Sequence, residues 1–342
     1  MKRDDASGTP SPIALPTDWE TPPAGIWTPT PPGLRGRAHK LLRRSLPRPV
    51  YGAGRRGYRA TRRALGRGPG QGRLVPDYLI IGVAKGGTTT LAAWLNEHPF
   101  VAPAAQKEVH YFDYQYELGE DWYRSNFPTK RSREEFASSH GRQFLTGEAS
   151  PSYISHHWAP ARIATDLPEV KLIVALRNPV DRAYSQFQMS RRAGEEPLES
   201  FAEAVEAEEE RLRPELARSA ADPTYYSGRL GAWSYLLRSR YAEQLERWLE
   251  LFPRERFHFV KTEELAESPD RALEGVAAFL GLPRSERRDY AKFHVGEYAP
   301  MPEETRRRLE EYFRPHNERL RDLVGIDFGW DTPAGRATAL TG

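Results

Sequence analysis

Apolar residues along the chain fall into two patterns, and each predicts a different kind of element. Tyr78, Leu79, Ile80, Ile81 and Val83 follow one another without alternation, and residues 170–176 do nearly the same. Such runs suit strands covered on both faces of a parallel sheet. Residues 257–261, Phe-His-Phe-Val-Lys, read as a third, shorter strand. Elsewhere the apolar positions recur every three or four residues, the period of a helix lying on a core. Leu91, Trp94 and Leu95 mark one such helix. Leu230, Trp233, Leu236, Leu237, Tyr241, Leu245, Trp248, Leu249 and Phe252 predict a single long helix over 228–252. Residues 269–282 predict another, stopped at Gly281, and Leu309, Tyr312, Phe313, Leu320 and Leu323 mark a charged helix over 303–323. Residues 197–213 read as an acidic helix with 206–210 as a solvated face, and 263–265 as a turn. Residues 119–139 read as short helices or loop with Trp122, Tyr123 and Phe127 as core candidates, and 284–302 as loop. No internal repeat is visible.

Composition changes this picture mainly at the N-terminus. Residues 1–33 are rich in Pro, Thr, Ser and Gly without apolar periodicity, leaving too little burial to offset ordering entropy. From residue 34 to 73 arginines recur, with no acidic residue between Glu20 and Asp77. The net charge of +3 therefore hides a division: residues 1–76 hold 15 Lys and Arg against 4 Asp and Glu, and the remainder holds 35 against 43. The expected organisation is a disordered basic tail over 1–73, a folded body over 74–330 and a flexible tail over 331–342. The basic 34–73 segment suits an anionic membrane surface; no specific nucleic-acid partner is expected. The chain has no cysteine, no apolar signal segment and no run long enough to span a membrane, so the expected location is cytoplasmic, with peripheral contact at the inner membrane surface.

Candidate chemistry begins where the first strand ends. Lys85-Gly86-Gly87-Thr88-Thr89-Thr90 combines two glycines that allow a sharp turn, hydroxyls suited to a helix cap, and a lysine beside the N–H groups of a helix start. That combination favours an anion. A nucleotide-binding P-loop sets its lysine after the last glycine, whereas Lys85 precedes both. After the 170–176 strand, Arg177 supplies a forked phosphate donor. Asn178 and Pro179 are suited to start a helix, and Ser185 adds a hydroxyl two turns in. Residues 107–113, Lys-Glu-Val-His-Tyr-Phe-Asp, interleave ionisable and apolar residues in a way a simple buried strand does not. Residues 147–153 are turn-rich, with Ser150 or Ser152 as a cap.

Lys-Gly-Gly-Thr-Thr-Thr-Leu after a strand resembles the 5′-phosphosulfate loop of sulfotransferases that use 3′-phosphoadenosine 5′-phosphosulfate (PAPS). Leu-Arg-Asn-Pro-x-x-Arg-x-x-Ser resembles their 3′-phosphate site. Residues 107–113 resemble the Lys-Glu-x-His-Phe-Phe-Asp segment of the heparan sulfate branch, and 147–153 are similar to its Glu-Lys-Ser/Thr-Pro-x-Tyr segment. The resemblance covers about residues 77–330 and implies an α/β fold: a P-loop-like, doubly wound, mostly parallel sheet flanked by helices. It implies sulfuryl transfer from PAPS, without a metal, to a hydroxyl or amine of a small-molecule or glycan acceptor, leaving adenosine 3′,5′-bisphosphate (PAP). Lys85, Gly86, Gly87, Thr88, Thr89 and Thr90 would hold the 5′-phosphate, and Arg177 and Ser185 the 3′-phosphate. Glu108 would be the base, with His110 beside it and Lys107, Asp113 and Glu148 orienting the acceptor.

Some positions depart from that pattern. Thr89 stands where 3-hydroxyl heparan enzymes have arginine, and Ala149 where the Glu-Lys segment has lysine, which turns the expectation away from a heparan-like polymer. Val295-Gly296-Glu297 stands in place of a Lys-Gly-Arg loop, with Lys292 the candidate to close over the 3′-phosphate. The branch's disulfide is absent. A P-loop nucleotide kinase and a non-catalytic membrane or nucleic-acid adaptor using the basic tail are the alternatives. Oligomeric state is not legible.

Overall fold

The computed structural model describes residues 70, 72–284 and 298–331. The tail through residue 69, Lys292, Val295-Gly296-Glu297 and residues 332–342 lie outside the described residues.

Five strands form one sheet: β1 (Tyr78–Gly82), β2 (Val101–Pro103), β3 (Leu145–Ala149), β4 (Lys171–Leu176) and β5 (Phe257–Lys261). Their order is β2-β3-β1-β4-β5 and every pairing is parallel. The uninterrupted apolar run of β1 is explained by its central place, where all five residues are buried. Helices connect and flank the strands. Those used below are α1 (Thr88–Asn96), α2 (Tyr111–Tyr114), α3 (Ala159–Asp166), α4 (Pro179–Arg192), α5 (Glu208–Ala221), α6 (Gly228–Trp233), α7 (Tyr241–Leu249), α8 (Thr262–Glu267), α9 (Pro269–Leu280) and α10 (Glu303–Val324).

Two strands were hidden from the periodicity. β2 is three residues long and ends in proline, as an edge strand allows. β3 is Leu-Thr-Gly-Glu-Ala, too polar to read as buried, yet Thr146 is fully enclosed and donates to Ala102 O at 2.7 Å. Gly147 is required there, because a Cβ would sit 2.5 Å from the Tyr78 ring.

The helix expected over 228–252 is broken into α6, a 3-10 turn at Leu237–Ser239, and α7. Side chains take the backbone groups that a continuous helix would have paired. The Glu208 carboxylate accepts from the N–H groups of Tyr235, Leu236 and Leu237 at 3.0, 2.7 and 2.8 Å. Arg182 donates through Nη2 to the carbonyls of Ser234 and Tyr235, and through Nε to Ser239 Oγ. This also corrects the solvated reading of 206–210, since Glu208 is buried. The acidic segment is a short helix, Phe201–Glu206, followed by α5, and residues 263–265 lie inside α8 rather than in a turn.

The main core surrounds the sheet, and a second cluster packs Val180, Tyr184 and Phe187 of α4 against Phe201, Tyr235, Leu309 and Phe313. α4 is thus held on both sides. At the other boundary, Arg73 is tied to the body: its Nη1 donates to Phe127 O, and its own carbonyl accepts from Arg124.

Candidate active site

All five strands point their C-terminal ends at one region, the edge where parallel α/β sheets bind ligands. Lys85 follows β1, Glu108 follows β2, Ser150 and Ser152 follow β3, Arg177 follows β4, and Thr262 and Glu263 follow β5.

The turn after β1 is closed by Val83 N–H donating to Ala175 O and Gly86 N–H donating to Val83 O, at 2.8 and 2.9 Å. A Cβ on Gly86 would lie 2.7 Å from Ala175 O, so only glycine fits. Thr262 Oγ1 donates to Gly86 O at 2.8 Å and fixes the turn from the β5 side. The cap of α1 is Gly87 in the left-handed region, not a threonine; Thr88 is the first helical residue. The N–H groups of Gly87 to Thr90 have no carbonyl partner within the helix, as at any helix start. Lys85 itself is left-handed, with φ 72°. Its Nζ approaches Met189 Sδ at 3.8 Å, and burial, followed by Arg177, Arg192, Arg182 and Lys107, lowers its pKa to about 8. An arriving anion reverses that electrostatic penalty.

Arg177 reaches back toward the same turn, with Nη1 3.5 Å from Lys85 O, and its own carbonyl accepts from Tyr241 OH at 2.8 Å. Asn178 caps α4 by accepting from Val180 and Asp181 N–H, and its own N–H donates to Glu263 Oε1 at 2.8 Å. Ser185 is buried two turns into α4. Arg182, fully buried in the same helix, has no partner for Nη1 among the described residues, and burial lowers it to about 10. Arg177, Arg192, Arg182 and Lys107 therefore converge on Lys85 as like charges.

On the β2 side, His110 stands between two carboxylates. Its Nδ1 is 2.8 Å from Asp113 Oδ2 and its Nε2 is 3.4 Å from Glu108 Oε2. Burial opposes the charged ring, but Asp113 and Glu108 outweigh it and raise His110 to about 10. Burial likewise opposes the Glu108 carboxylate, but His110 and Lys107 outweigh it and lower Glu108 to about 2. Lys107 Nζ is 3.2 Å from Glu108 Oε1 and donates to Thr89 Oγ1 at 2.6 Å, bringing a second ammonium to the start of α1. Among the described residues, the non-glycines with positive φ are Lys85, Glu108 and His110. Each such position costs on the order of 1–3 kcal/mol, and this kind of strain concentrates at functional sites.

Two residues expected to orient an acceptor are placed differently. Asp113 has no exposed side-chain surface and accepts from Ser152 Oγ and Tyr114 N–H besides facing His110, so it acts on the ring. Glu148 is buried and accepts from Val109 N–H, Ser150 Oγ, Tyr153 OH and Tyr123 OH, so it anchors the loop from beneath. Sequence reasoning missed Thr262, Glu263 and Tyr241 as supports of the site. Of the two cap candidates, Ser150 and Ser152, Ser152 does stand at the N-cap of the 3-10 turn Tyr153–Ser155, but its hydroxyl donates to Asp113 at 2.5 Å rather than to the turn. These partners lie 39 or more positions away in sequence, beyond any local motif.

A family model described as "Sulfotransferase domain" matches residues 75–297. The chain is 34% identical over 292 residues to human heparan sulfate glucosamine 3-O-sulfotransferase 6, covering 78% of this chain and 76% of that one. It is 28% identical over 328 residues to the membrane-associated sulfotransferase kil1 of Dictyostelium discoideum, covering 77% and 68%. Among solved structures, a sulfotransferase from Alicyclobacillus acidocaldarius superposes with a TM-score of 0.57 at 29% identity, covering 75% of this chain and 98% of that one.

Proposed function

The chain belongs to the sulfotransferase domain family, and from that membership and the cleft geometry we propose that it moves a sulfuryl group from PAPS to a hydroxyl of a carbohydrate acceptor. The carbohydrate part rests on the heparan sulfate glucosamine sulfotransferases among its relatives. The observation that carries the reading is the strained trio Lys85, Glu108 and His110, set at the ends of β1 and β2 beside a cation cluster. PAPS carries phosphate at two positions; on this reading the Lys85 turn with the N–H groups at the start of α1 takes the 5′-phosphate, and Arg177 after β4, with Ser185 of α4, takes the 3′-phosphate.

In the reaction the acceptor oxygen bonds to sulfur as the bond from sulfur to the 5′-phosphate oxygen breaks, and the acceptor proton must leave. His110, held protonated by Asp113 and Glu108, has no free site for it. Glu108 stays ionised throughout the neutral range, so its carboxylate takes the proton. A carboxylate held near 2 is a weak base at rest. It becomes a competent acceptor as the forming bond acidifies the hydroxyl, and general-base help of this kind contributes typically about 10²–10⁴-fold. Lys85 and the N–H groups at the start of α1 neutralise the departing phosphate, a preorganised electrostatic role.

The test is thermal unfolding with PAP, PAPS, and ATP with Mg²⁺. PAP without metal is expected to stabilise the protein, by about 2.7 kcal/mol at 100 times its Kd. Stabilisation by ATP with Mg²⁺ and not by PAP would overturn the reading in favour of a kinase.

A further inference from the structure

We propose that Tyr241 and Glu263 are positioning residues that give the donor site its preference for a nucleotide bearing a 3′-phosphate, because together they pin the single peptide unit between Arg177 and Asn178. This rests on the PAPS reading and deepens it at the donor site. The unit lies just past the end of β4. Its oxygen, Arg177 O, accepts from Tyr241 OH at 2.8 Å, and its N–H, on Asn178, donates to Glu263 Oε1 at 2.8 Å. The two side chains come from different elements: Tyr241 opens α7, and Glu263 is the second residue of α8. β4 and β5 run in parallel register with Leu176 against Lys261, so Asn178 and Glu263, each two residues further on, arrive side by side. Tyr241 is buried, with its ring packed 5.9 Å from that of Trp330.

This peptide sets the relative direction of the two groups assigned to the 3′-phosphate. The Arg177 guanidinium hangs from the Cα before it, and α4, which carries the buried Ser185, starts at the Cα after it. Turning the unit swings one group against the other, and it cannot turn without breaking both bonds. The Asn178 side chain, accepting from Val180 and Asp181 N–H, holds the helix end in place on the far side. A site ordered in advance spends less of its binding free energy on ordering when the ligand arrives. The 5′-phosphate turn has a separate support in the adjacent residue, Thr262, whose Oγ1 donates to Gly86 O. The Glu263 carboxylate also faces its own N–H, and its Oε2 is buried without a partner among the described residues. Burial raises its pKa, so the bond to Asn178 needs the oxygen rather than the charge, and an amide supplies that oxygen.

The experiment is titration of the full chain with PAP and with adenosine 5′-monophosphate (AMP), which lacks the 3′-phosphate; the readout is the ratio of the two dissociation constants. Tyr241→Phe removes only the hydroxyl and is expected to lower the preference for PAP by about 3- to 10-fold while AMP affinity stays within about 2-fold of wild type. Glu263→Gln and Glu263→Ala both remove the charge, so their difference isolates the hydrogen bond. The glutamine variant is expected to keep the wild-type preference or exceed it, and the alanine variant to fall about 3- to 10-fold below the glutamine one. Thr262→Val is expected to weaken PAP and AMP alike. An unchanged preference in Tyr241→Phe, equal weakening of both nucleotides there, alanine matching glutamine at 263, or a Thr262→Val that lowers the preference as far as Tyr241→Phe does would each overturn the positioning role. A wild-type chain that does not prefer PAP to AMP refutes the donor reading itself, before any variant is compared.

Discussion

Asp113 Oδ2 lies 2.8 Å from His110 Nδ1 with no exposed surface of its own, so a buried carboxylate holds a half-buried imidazolium at the edge of the cleft. The pair is fixed from behind by Ser152, which donates to the same Asp113 oxygen, and it sets His110 against Glu108.

The stability this pairing provides has a defined pH range. His110 is raised from 6.5 to about 10 in the fold, so its contribution is fully present below about 6.5 and is lost as pH rises through about 10. Asp113→Asn should therefore lower the melting temperature at pH 6–7, and the gap to wild type should narrow above pH 10. Thermal scans of both proteins across that range check it. A gap that is unchanged at high pH would mean the loss is packing alone.

Arg177→Ala should weaken PAP binding by about 10- to 100-fold, the scale of one lost charge-assisted hydrogen-bonding group. Glu108→Gln should leave PAP binding near wild type, because Glu108 faces His110 and Lys107 rather than the Arg177 side. Direct titration of PAP into both variants decides it, and equal losses would undo the division between donor and acceptor roles.

Glu208 carries a structural prediction. Glu208→Ala leaves the N–H groups of Tyr235, Leu236 and Leu237 without their acceptor and should cost about 3 kcal/mol in denaturant unfolding. Glu209→Ala, on the exposed side of the same turn, should change stability by less than about 0.5 kcal/mol.

How far the sequence could be read follows the range of each interaction. Strands β1, β4 and β5, the Lys85–Thr90 turn and the Asn178 cap were legible because their signals are local: an apolar run, a glycine pair, a capping residue before proline. β3 was not, because Thr146 and Glu148 are polar residues buried against partners such as Ala102 and Tyr123 that no window of sequence contains. The break at Ser234 was hidden for the same reason, since Glu208 and Arg182 claim its backbone groups from 27 and 52 positions away. Within 107–113 the chemistry was visible as residue types. That Asp113 and Glu148 serve the loop rather than face a ligand required knowing what buries them.

Glu108→Gln tests the central claim most directly. The amide is nearly isosteric with the carboxylate but does not take the acceptor proton, so PAPS affinity should hold while kcat falls by about 10²-fold or more. Steady-state transfer to a carbohydrate acceptor, with PAPS binding titrated separately, measures both. Near-normal kcat in Glu108→Gln would contradict the account and move the proton acceptor away from Glu108.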